Sequence, residues 1–236
     1  MKTEIYIATH KDYDFPKLEG YIPIHVGKAL TDLDLGIIGD NTGDNISELN
    51  PNFCELTALY WMWKNSDADI LGLVHYRRYF QKDGILISGN DIASICGKNS
   101  LIVAEPEDLY YQKFIFKFSV NVKQQYYLNH FYRDWKIVKE IVEKKYPEYL
   151  ESFELVEESK SLSFYNMMIT SKEIFDNYCE WLFDILFELK NRIDISDYNA
   201  YQSRIFGFLS ERLFNVYKKY MENHVKIKPL SIHMIK

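Results

Sequence analysis

Two arginines, a histidine and a tyrosine that stand together could bind a charged ligand; they are His75, Tyr76, Arg77 and Arg78. The planar guanidinium of arginine matches phosphate oxygens in a bidentate way and stays charged at any working pH. The segment therefore predicts a binding site for a phosphate-bearing ligand, with His75 also a candidate catalytic residue. Taken alone, the segment is equally compatible with a surface arginine pair against which tyrosines pack.

Two other polar runs carry hydrogen-bonding groups suited to a nucleotide. Thr9 and His10 follow an apolar segment near the start of the chain. The second run is a loop rich in turn-forming residues, and its candidates for holding a base or a ribose are Asp40, Asn41, Asp44 and Asn45. The alternative for this loop is a tight turn whose side chains bond their own backbone.

The last predicted helix places Arg204, Gly207 and Glu211 on one face, because their spacing matches the helical period. A glycine in mid-helix costs about 1 kcal/mol relative to alanine, which predicts close approach of another backbone or a ligand. Glu211, or Asp197 near the start of this helix, is a candidate general base, and Arg204 is a candidate donor-binding residue. An ion-paired structural glutamate is the alternative for Glu211.

His130 and Asp134 are four residues apart in a segment that is predicted to be helical. This spacing would let the carboxylate orient the imidazole. Together with Asn166, they are the candidates for binding an acceptor. A simple surface contact is the alternative for the pair.

Strands that alternate with helices must position these residues. Strands are predicted over 4–8, 36–38, 70–74, 101–104 and 164–169, and helices from Asn50, over 124–145, from the capping box that begins at Thr170, and over 199–222. The alternation predicts an α/β fold with a mainly parallel central sheet flanked by helices. Ligands of such sheets bind beyond the carboxyl ends of the strands, where the polar runs would meet. A single domain over 1–236 is expected, with a nucleotide-binding half to about 105 and an acceptor-binding, helical half after it.

Composition and missing motifs weigh against several classes of protein. The net charge of −6 disfavours a nucleic-acid binder, because such proteins present a broad basic surface. The three cysteines lack metal-ligand spacing and predict reduced, buried thiols in a cytoplasmic protein. No apolar run is long enough to span a bilayer, although the basic residues Lys218, Lys219, Lys226 and Lys228 leave a peripheral membrane contact open. Walker, dinucleotide-binding, serine-hydrolase and zinc-protease motifs are absent from the sequence.

A divalent metal is often held by an Asp-x-Asp pair after a central strand in enzymes that use nucleotide sugars. Two of the three such pairs in this chain, Asp32–Asp34 and Asp67–Asp69, precede their strands, and the third, Asp12–Asp14, follows the first strand. The expected metal position instead carries His75 and the arginine pair. Two fixed positive charges can offset the negative charge of a diphosphate. The sequence therefore predicts no metal or other cofactor, and the alternative is a divalent cation, Mn²⁺ or Mg²⁺.

Four blocks of sequence resemble one bacterial family long labelled a domain of unknown function. The blocks are 39–47, 50–65, 72–80 and 201–213. Members of this family are described as glycosyltransferases of capsular or exopolysaccharide biosynthesis, and some as galactofuranosyltransferases. The resemblance implies a GT-A-like nucleotide-sugar fold, a UDP-linked donor such as UDP-galactofuranose, and a lipid-linked or oligosaccharide acceptor. The matching residues include the arginine and Asp40–Asn45 segments, Glu55 and Thr57, and Arg204–Arg212.

The residues and the resemblance together predict an inverting glycosyltransferase. Thr9, His10 and the Asp40–Asn45 loop would hold the nucleotide, while Arg77 and Arg78 would bind the leaving diphosphate. The alternatives are a retaining transferase or nucleotide-sugar hydrolase, a non-catalytic nucleotide- or glycan-binding subunit that supports a partner transferase, and a nucleic-acid binder.

Overall fold

The apolar segments of the chain form neighbouring strands of one large sheet. The computed structural model describes residues 1–235. Its strands are β1 (Thr3–Thr9), β2 (Tyr21–His25), β3 (Ile38–Gly39), β4 (Ile70–His75), β5 (Arg78–Lys82), β6 (Ile85–Leu86), β7 (Ser100–Ala104), β8 (Glu107–Asp108), β9 (Tyr110–Lys113), β10 (Phe116–Ser119), β11 (Ser161–Leu162), β12 (Met168–Ser171) and β13 (Lys226–Met234). The predicted strands at 4–8, 70–74 and 101–104 are confirmed, whereas β2 and β13 were not predicted.

Helices cover both faces of the sheet. They are α1 (Asn50–Phe53), α2 (Leu56–Asn65), α3 (Gly89–Ile95), α4 (Val122–Asn129), α5 (Tyr132–Lys145), α6 (Leu150–Glu158), α7 (Lys172–Arg192) and α8 (Ile205–Met221). Alternate residues of β1 face opposite sides: Ile5 and Ile7 belong to one core cluster, and Tyr6 and Ala8 belong to the other. The sheet is therefore buried on both faces, which is why β1 and β4 have nearly continuous apolar sequences.

The nine-stranded sheet is mixed. Its order is β3-β2-β1-β4-β12-β7-β13-β5-β6. β1 runs parallel to β2 and β4, whereas β12 runs antiparallel to β4 and β7, and β5 runs antiparallel to β13. The expectation of a mainly parallel sheet is therefore too simple, because strand direction depends on how distant segments enter the sheet.

Three predicted helical features differ in the structure. The helix predicted over 124–145 is broken, because His130 ends α4 and Phe131 precedes α5. The helix predicted from Thr170 begins at Lys172 without a side-chain cap, and the Thr170 hydroxyl instead donates to the Ser100 carbonyl. The helix predicted over 199–222 is α8, and a 3-10 turn precedes it.

No helix within residues 1–235 is both long enough and apolar enough to cross a bilayer.

Candidate functional site

The ends of two parallel strands and the beginnings of two reversed strands meet at one edge of the sheet. β1 ends beside β4, where Ala8 pairs with His75. β5 turns back directly from β4, with His75 opposite Arg78. Because β12 is antiparallel to β4, the residues that precede β12 also lie at this edge. The reversal of two strands thus adds side chains to the edge that a purely parallel sheet would not supply.

A cavity of about 500 Å³ opens at this edge. The strand side contributes Ala8, His10, Val26, His75, Tyr76, Arg78 and Tyr165, and the helical side contributes Asn50, Pro51, Cys54, Glu55, Arg204 and Glu211. Cationic groups and carboxylates therefore face the same space. Of the residues predicted from sequence, the cavity collects His10, His75, Tyr76, Arg78, Arg204 and Glu211.

Arg78 presents a guanidinium to this cavity, and no carboxylate within residues 1–235 pairs with it. Its Cζ lies 4.3 Å from the centroid of the Tyr165 ring, which holds the group by a cation–π contact. Its Nε is buried and has no hydrogen-bond partner in the part of the chain that the structure describes. The guanidinium charge itself lines the cavity, where it could face an anion.

The loop before β12 fixes the tautomer of His75. His75 Nε2 lies 2.7 Å from the carbonyl oxygen of Tyr165, and since a carbonyl only accepts, Nε2 carries the proton. Nδ1 of a neutral ring is then the available acceptor. Tyr165 and Asn166 both have positive φ, at 76° and 52°, which is uncommon for residues other than glycine and often marks a functional site.

Glu55 places a carboxylate in the cavity, and one of its two oxygens accepts a hydrogen bond from the protein. Asn166 Nδ2 donates to Glu55 Oε1 at 2.7 Å and to Ser210 Oγ at 2.9 Å. Glu55 Oε2 has no hydrogen-bond partner among residues 1–235. Asn166 was predicted as an acceptor ligand, but it is buried behind Glu55 and orients that carboxylate.

Glu211 uses both of its oxygens inside the protein. Oε1 accepts the Tyr165 backbone N–H at 3.0 Å, and Oε2 pairs with Arg212 Nη1 at 3.0 Å. Burial raises the pKa of Glu211, Arg212 opposes this rise, and the charge of Glu55 adds to it. Glu211 therefore holds the Tyr165 loop in place at the cavity wall, and the two carboxylates lie close enough to interact.

Arg204 forms the opposite cationic wall beside the cysteine that precedes Glu55. Its Nε donates to Cys54 Sγ at 3.2 Å, and it has no carboxylate partner in the described residues. A Cβ at Gly207 would lie 3.2 Å from the same sulfur. The predicted close approach at Gly207 is thus made to Cys54. Cys54 is half-buried, in contrast to Cys96 and Cys179, and all three cysteines are free.

The remaining strand-end residues divide between the cavity and the outer surface. The rings of His10 and Tyr76 meet edge to face, with centroids 5.6 Å apart. Partial desolvation and the charges of Lys11 and Arg77 lower the pKa of His10. Arg77 is exposed and lies outside the cavity lining. The Thr9 hydroxyl is buried and donates to the Lys11 carbonyl at 2.8 Å, so it stabilises the turn.

The loop after β3 lies apart from the cavity. Asp40 is fully buried and accepts hydrogen bonds from the Gly27 and Lys28 backbone N–H groups and from the Ser47 hydroxyl. Asn45 accepts from the Ser47 N–H, which is the turn that the sequence offered as the alternative. Asp44 bonds Tyr60, while Asn41 lines a separate surface depression together with Asn45. None of these four residues lines the Arg78 cavity.

Replacing Asp40 by alanine should reduce stability and leave the Arg78 cavity of the folded protein unchanged. The change leaves three donors without their acceptor, and each buried unsatisfied group costs about 1–3 kcal/mol. We expect the free energy of unfolding to fall by about 2–4 kcal/mol in urea titrations. Asp44→Ala, an exposed change in the same loop, is the control and should alter stability by less than about 0.5 kcal/mol. Loss of nucleotide binding by folded Asp40→Ala would contradict this assignment.

The predicted pairing of His130 with Asp134 does not form, because the helix break separates them. His130 Nδ1 lies 3.1 Å from Gln202 Oε1, and burial lowers the pKa of His130 to about 4. Asp134 instead accepts from the Tyr198 hydroxyl at 2.7 Å. Asp197 is exposed in a different surface depression and does not reach the Arg78 cavity.

The described residues were also compared with the ligand sets of metal sites. Within residues 1–235, no three His, Cys, Asp or Glu side chains are grouped so that they could hold a metal ion. Asp69 lies at the start of β4, where its Oδ2 accepts from the Lys2 backbone N–H at 2.7 Å, far along the strand from His75. Independence of metal stays a prediction for experiment.

Sequence reasoning gave no specific role to four residues of the cavity: Asn50, Cys54, Glu55 and Tyr165. Asn50 Nδ2 donates to the Cys54 carbonyl at 2.8 Å, so the first residue of α1 stabilises the turn into α2. Cys54 has a φ of 54°, and this turn aims Glu55 at the cavity. The available signal for Glu55 was its place in a family block. No sequence pattern around Tyr165 predicted a role for it in the site.

The comparisons with known proteins agree with this architecture. The family model described as "Domain of unknown function (DUF4422)" matches residues 4–223. The chain belongs to the DUF4422 family. Among solved structures, this DUF4422 chain is similar to the apo structure of the WbbM bifunctional glycosyltransferase, with 31% identity and a TM-score of 0.88. No curated protein sequence matches it significantly.

The similarity to WbbM covers 100% of this chain and 46% of the WbbM chain. The DUF4422 chain therefore spans about half the length of that glycosyltransferase. The expectation of an α/β fold related to glycosyltransferases is confirmed at this level, with a mixed sheet in place of the mainly parallel one that was expected. Donor, acceptor and stereochemistry remain predictions.

Proposed function

We propose that this chain is a glycosyltransferase that moves a sugar from a nucleoside-diphosphate sugar to a hydroxyl acceptor, with the Arg78 cavity as its active site. The single observation that carries the proposal is the Arg78 guanidinium, which lines the cavity and has no carboxylate partner among residues 1–235. The cation of Arg204 on the other wall and the similarity to WbbM support it.

A diphosphate leaving group suits these cations. As the bond between the anomeric carbon and the phosphate oxygen breaks, its electron pair and the developing charge pass to the diphosphate. Arg78 and Arg204 would stabilise that charge, and preorganised charges act most strongly where charge develops. The exposed Arg77 has no part in this step.

A carboxylate would take the proton of the acceptor. The acceptor oxygen forms the new bond to the anomeric carbon, and its proton passes to Glu55 Oε2, the free oxygen of the cavity. His75, whose Nε2–H is held by the Tyr165 carbonyl, would orient the sugar through Nδ1. Attack opposite the leaving group would invert the anomeric centre.

The family resemblance extends the proposal to substrates. UDP-galactofuranose is the proposed donor, and a growing capsular or exopolysaccharide chain, lipid-linked or free, is the proposed acceptor. The proposal assigns no step to a metal, and the EDTA arm of the experiment below tests this.

The proposal is tested by measuring UDP release from UDP-sugars with and without an oligosaccharide acceptor. We expect UDP to raise the melting temperature, since a ligand of the native state stabilises it, and turnover to persist in EDTA. Failure of UDP and other nucleoside diphosphates to bind would contradict the proposal. Binding without turnover of any donor would favour the non-catalytic subunit, and loss of turnover in EDTA would contradict metal independence.

A further inference from the structure

A short hairpin projects from the chain between β8 and α4. It consists of β9 and β10, which pair antiparallel from Tyr110–Ser119 to Lys113–Phe116. Every residue from 110 to 119 is exposed. The Gln112 side chain donates to the Phe114 carbonyl, and the Val120 N–H bonds the Leu109 carbonyl at the base of the hairpin. The hairpin is thus held mainly by its own bonds.

The tip of the hairpin exposes apolar side chains that a folded protein usually buries. Phe114, Ile115 and Phe116 are 85%, 89% and 61% exposed. Phe114 has a φ of 56°, and it lies with Ile115 in the turn between Lys113 and Phe116. A contiguous exposed apolar patch of this kind marks a protein or membrane interaction site.

Charge identifies which of these partners fits. The hairpin contains Lys113 and Lys117 and no acidic residue, although the whole chain has a net charge of −6. Lys117 Nζ lies 3.7 Å from the centroid of the Tyr110 ring. Aromatic residues beside lysines are typical of segments that enter the interface of an anionic membrane.

We propose that this hairpin docks the protein on an anionic lipid bilayer. Phe114, Ile115 and Phe116 enter the boundary between head groups and acyl chains, while Lys113 and Lys117 bind lipid phosphates. This assignment does not depend on the basic residues near the end of the chain. Lys218, for example, donates to Ser163 Oγ and Asn215 Oδ1 inside the protein.

The base of the hairpin lies beside the candidate active site. β8 precedes the hairpin by one residue, and its Glu107 Oε1 accepts from the Tyr165 hydroxyl at 3.3 Å. A docked hairpin would therefore hold the cavity mouth near the lipid surface. Resting on the proposed function, this placement favours an acceptor that is carried by a lipid.

The test is co-sedimentation of the full chain with vesicles of phosphatidylcholine alone or mixed with phosphatidylglycerol. We expect binding to the mixed vesicles, and the triple variant Phe114→Ser, Ile115→Ser, Phe116→Ser should bind at least about 10-fold more weakly. The matched control changes three exposed apolar residues elsewhere, Leu33→Ser, Ile85→Ser and Leu155→Ser, and should bind as the wild type does. The double variant Lys113→Gln, Lys117→Gln should lower the ratio of binding to anionic over neutral vesicles by about 10- to 30-fold.

Three results would overturn the docking proposal. They are wild-type protein that stays in solution with every vesicle, a tip variant that binds as well as the control, and a wild-type dimer that only the tip variant dissociates. The last result would assign the tip to a second copy of the chain. The melting-temperature shift with UDP should be equal in the tip variant and the control, so a failure of docking is distinguishable from a failure of the proposed function.

Discussion

Arg78→Lys should lower turnover roughly 10- to 100-fold, because a lost charge-assisted hydrogen bond is worth about 1.5–3 kcal/mol. Lysine keeps the charge but lacks the planar fork that bonds two phosphate oxygens at once. It also loses the guanidinium contact with the Tyr165 ring, which is 4.3 Å from Arg78 Cζ. Steady-state UDP release, with the melting temperature measured in parallel, gives the effect on folded enzyme.

Arg77→Lys is the matched control for this prediction. Arg77 is adjacent in sequence and has the same charge, but it is exposed and outside the cavity lining. We expect its turnover to stay within about 3-fold of the wild type, since surface charge changes have small effects. Equal losses of turnover in both variants would show that the position of Arg78 in the cavity has no special importance for the reaction. Wild-type turnover in Arg78→Lys would remove the diphosphate role altogether.

Glu55→Gln should lower kcat by about 10²–10⁴-fold with little change in KM, as expected for loss of a general base. Glutamine preserves the shape of the side chain, and its amide oxygen can still accept from Asn166 Nδ2, which lies 2.7 Å from Glu55 Oε1. Fold and donor binding are therefore kept, while the group that accepts the proton is lost. Rapid-mixing or initial-rate kinetics with saturating donor measure kcat directly.

Two comparisons separate Glu55 from its neighbours. Glu48→Gln, an exposed change a short distance earlier in the chain, should leave kcat unchanged. Glu211→Gln should mainly reduce stability, because both Glu211 oxygens hold the Tyr165 loop and Arg212. A 10²-fold loss of kcat in a stable Glu211→Gln protein, with Glu55→Gln near wild type, would transfer the base role to Glu211.

The site residues at the ends of strands were predictable, because an apolar run followed directly by polar residues is a pattern of neighbouring residues. Buried strands are continuous apolar runs, and polar residues that follow them lie at one edge when the strands are parallel. β1 and β4 obey this rule, so His10, His75 and Tyr76 line one cavity. α8 likewise brings Glu211 to that cavity, and the 3-10 turn before it brings Arg204 there.

Polar loops were harder to assign because the same residues that bind ligands also stabilise turns. Asp40 and Asn45 have ligand-type side chains, but their oxygens are used by nearby N–H and O–H groups of the protein. His130 and Asp134 have suitable helical spacing, but α4 ends at His130. Sequence spacing holds only while one helix continues, and a break in the backbone turns the two side chains toward different partners.

Residue order along the chain therefore specified the strands β1 and β4, the face of the last helix that carries Glu211 and the cationic group at Arg78, since each follows from side-chain period and charge over a few residues. Long-range folding alone made β12 run against β4, which carries Tyr165 and Asn166 to the cavity and aims Glu55 through an amide 111 residues away in the chain. Strand direction and such distant contacts minimise the free energy of the whole packed core, so no local pattern encodes them.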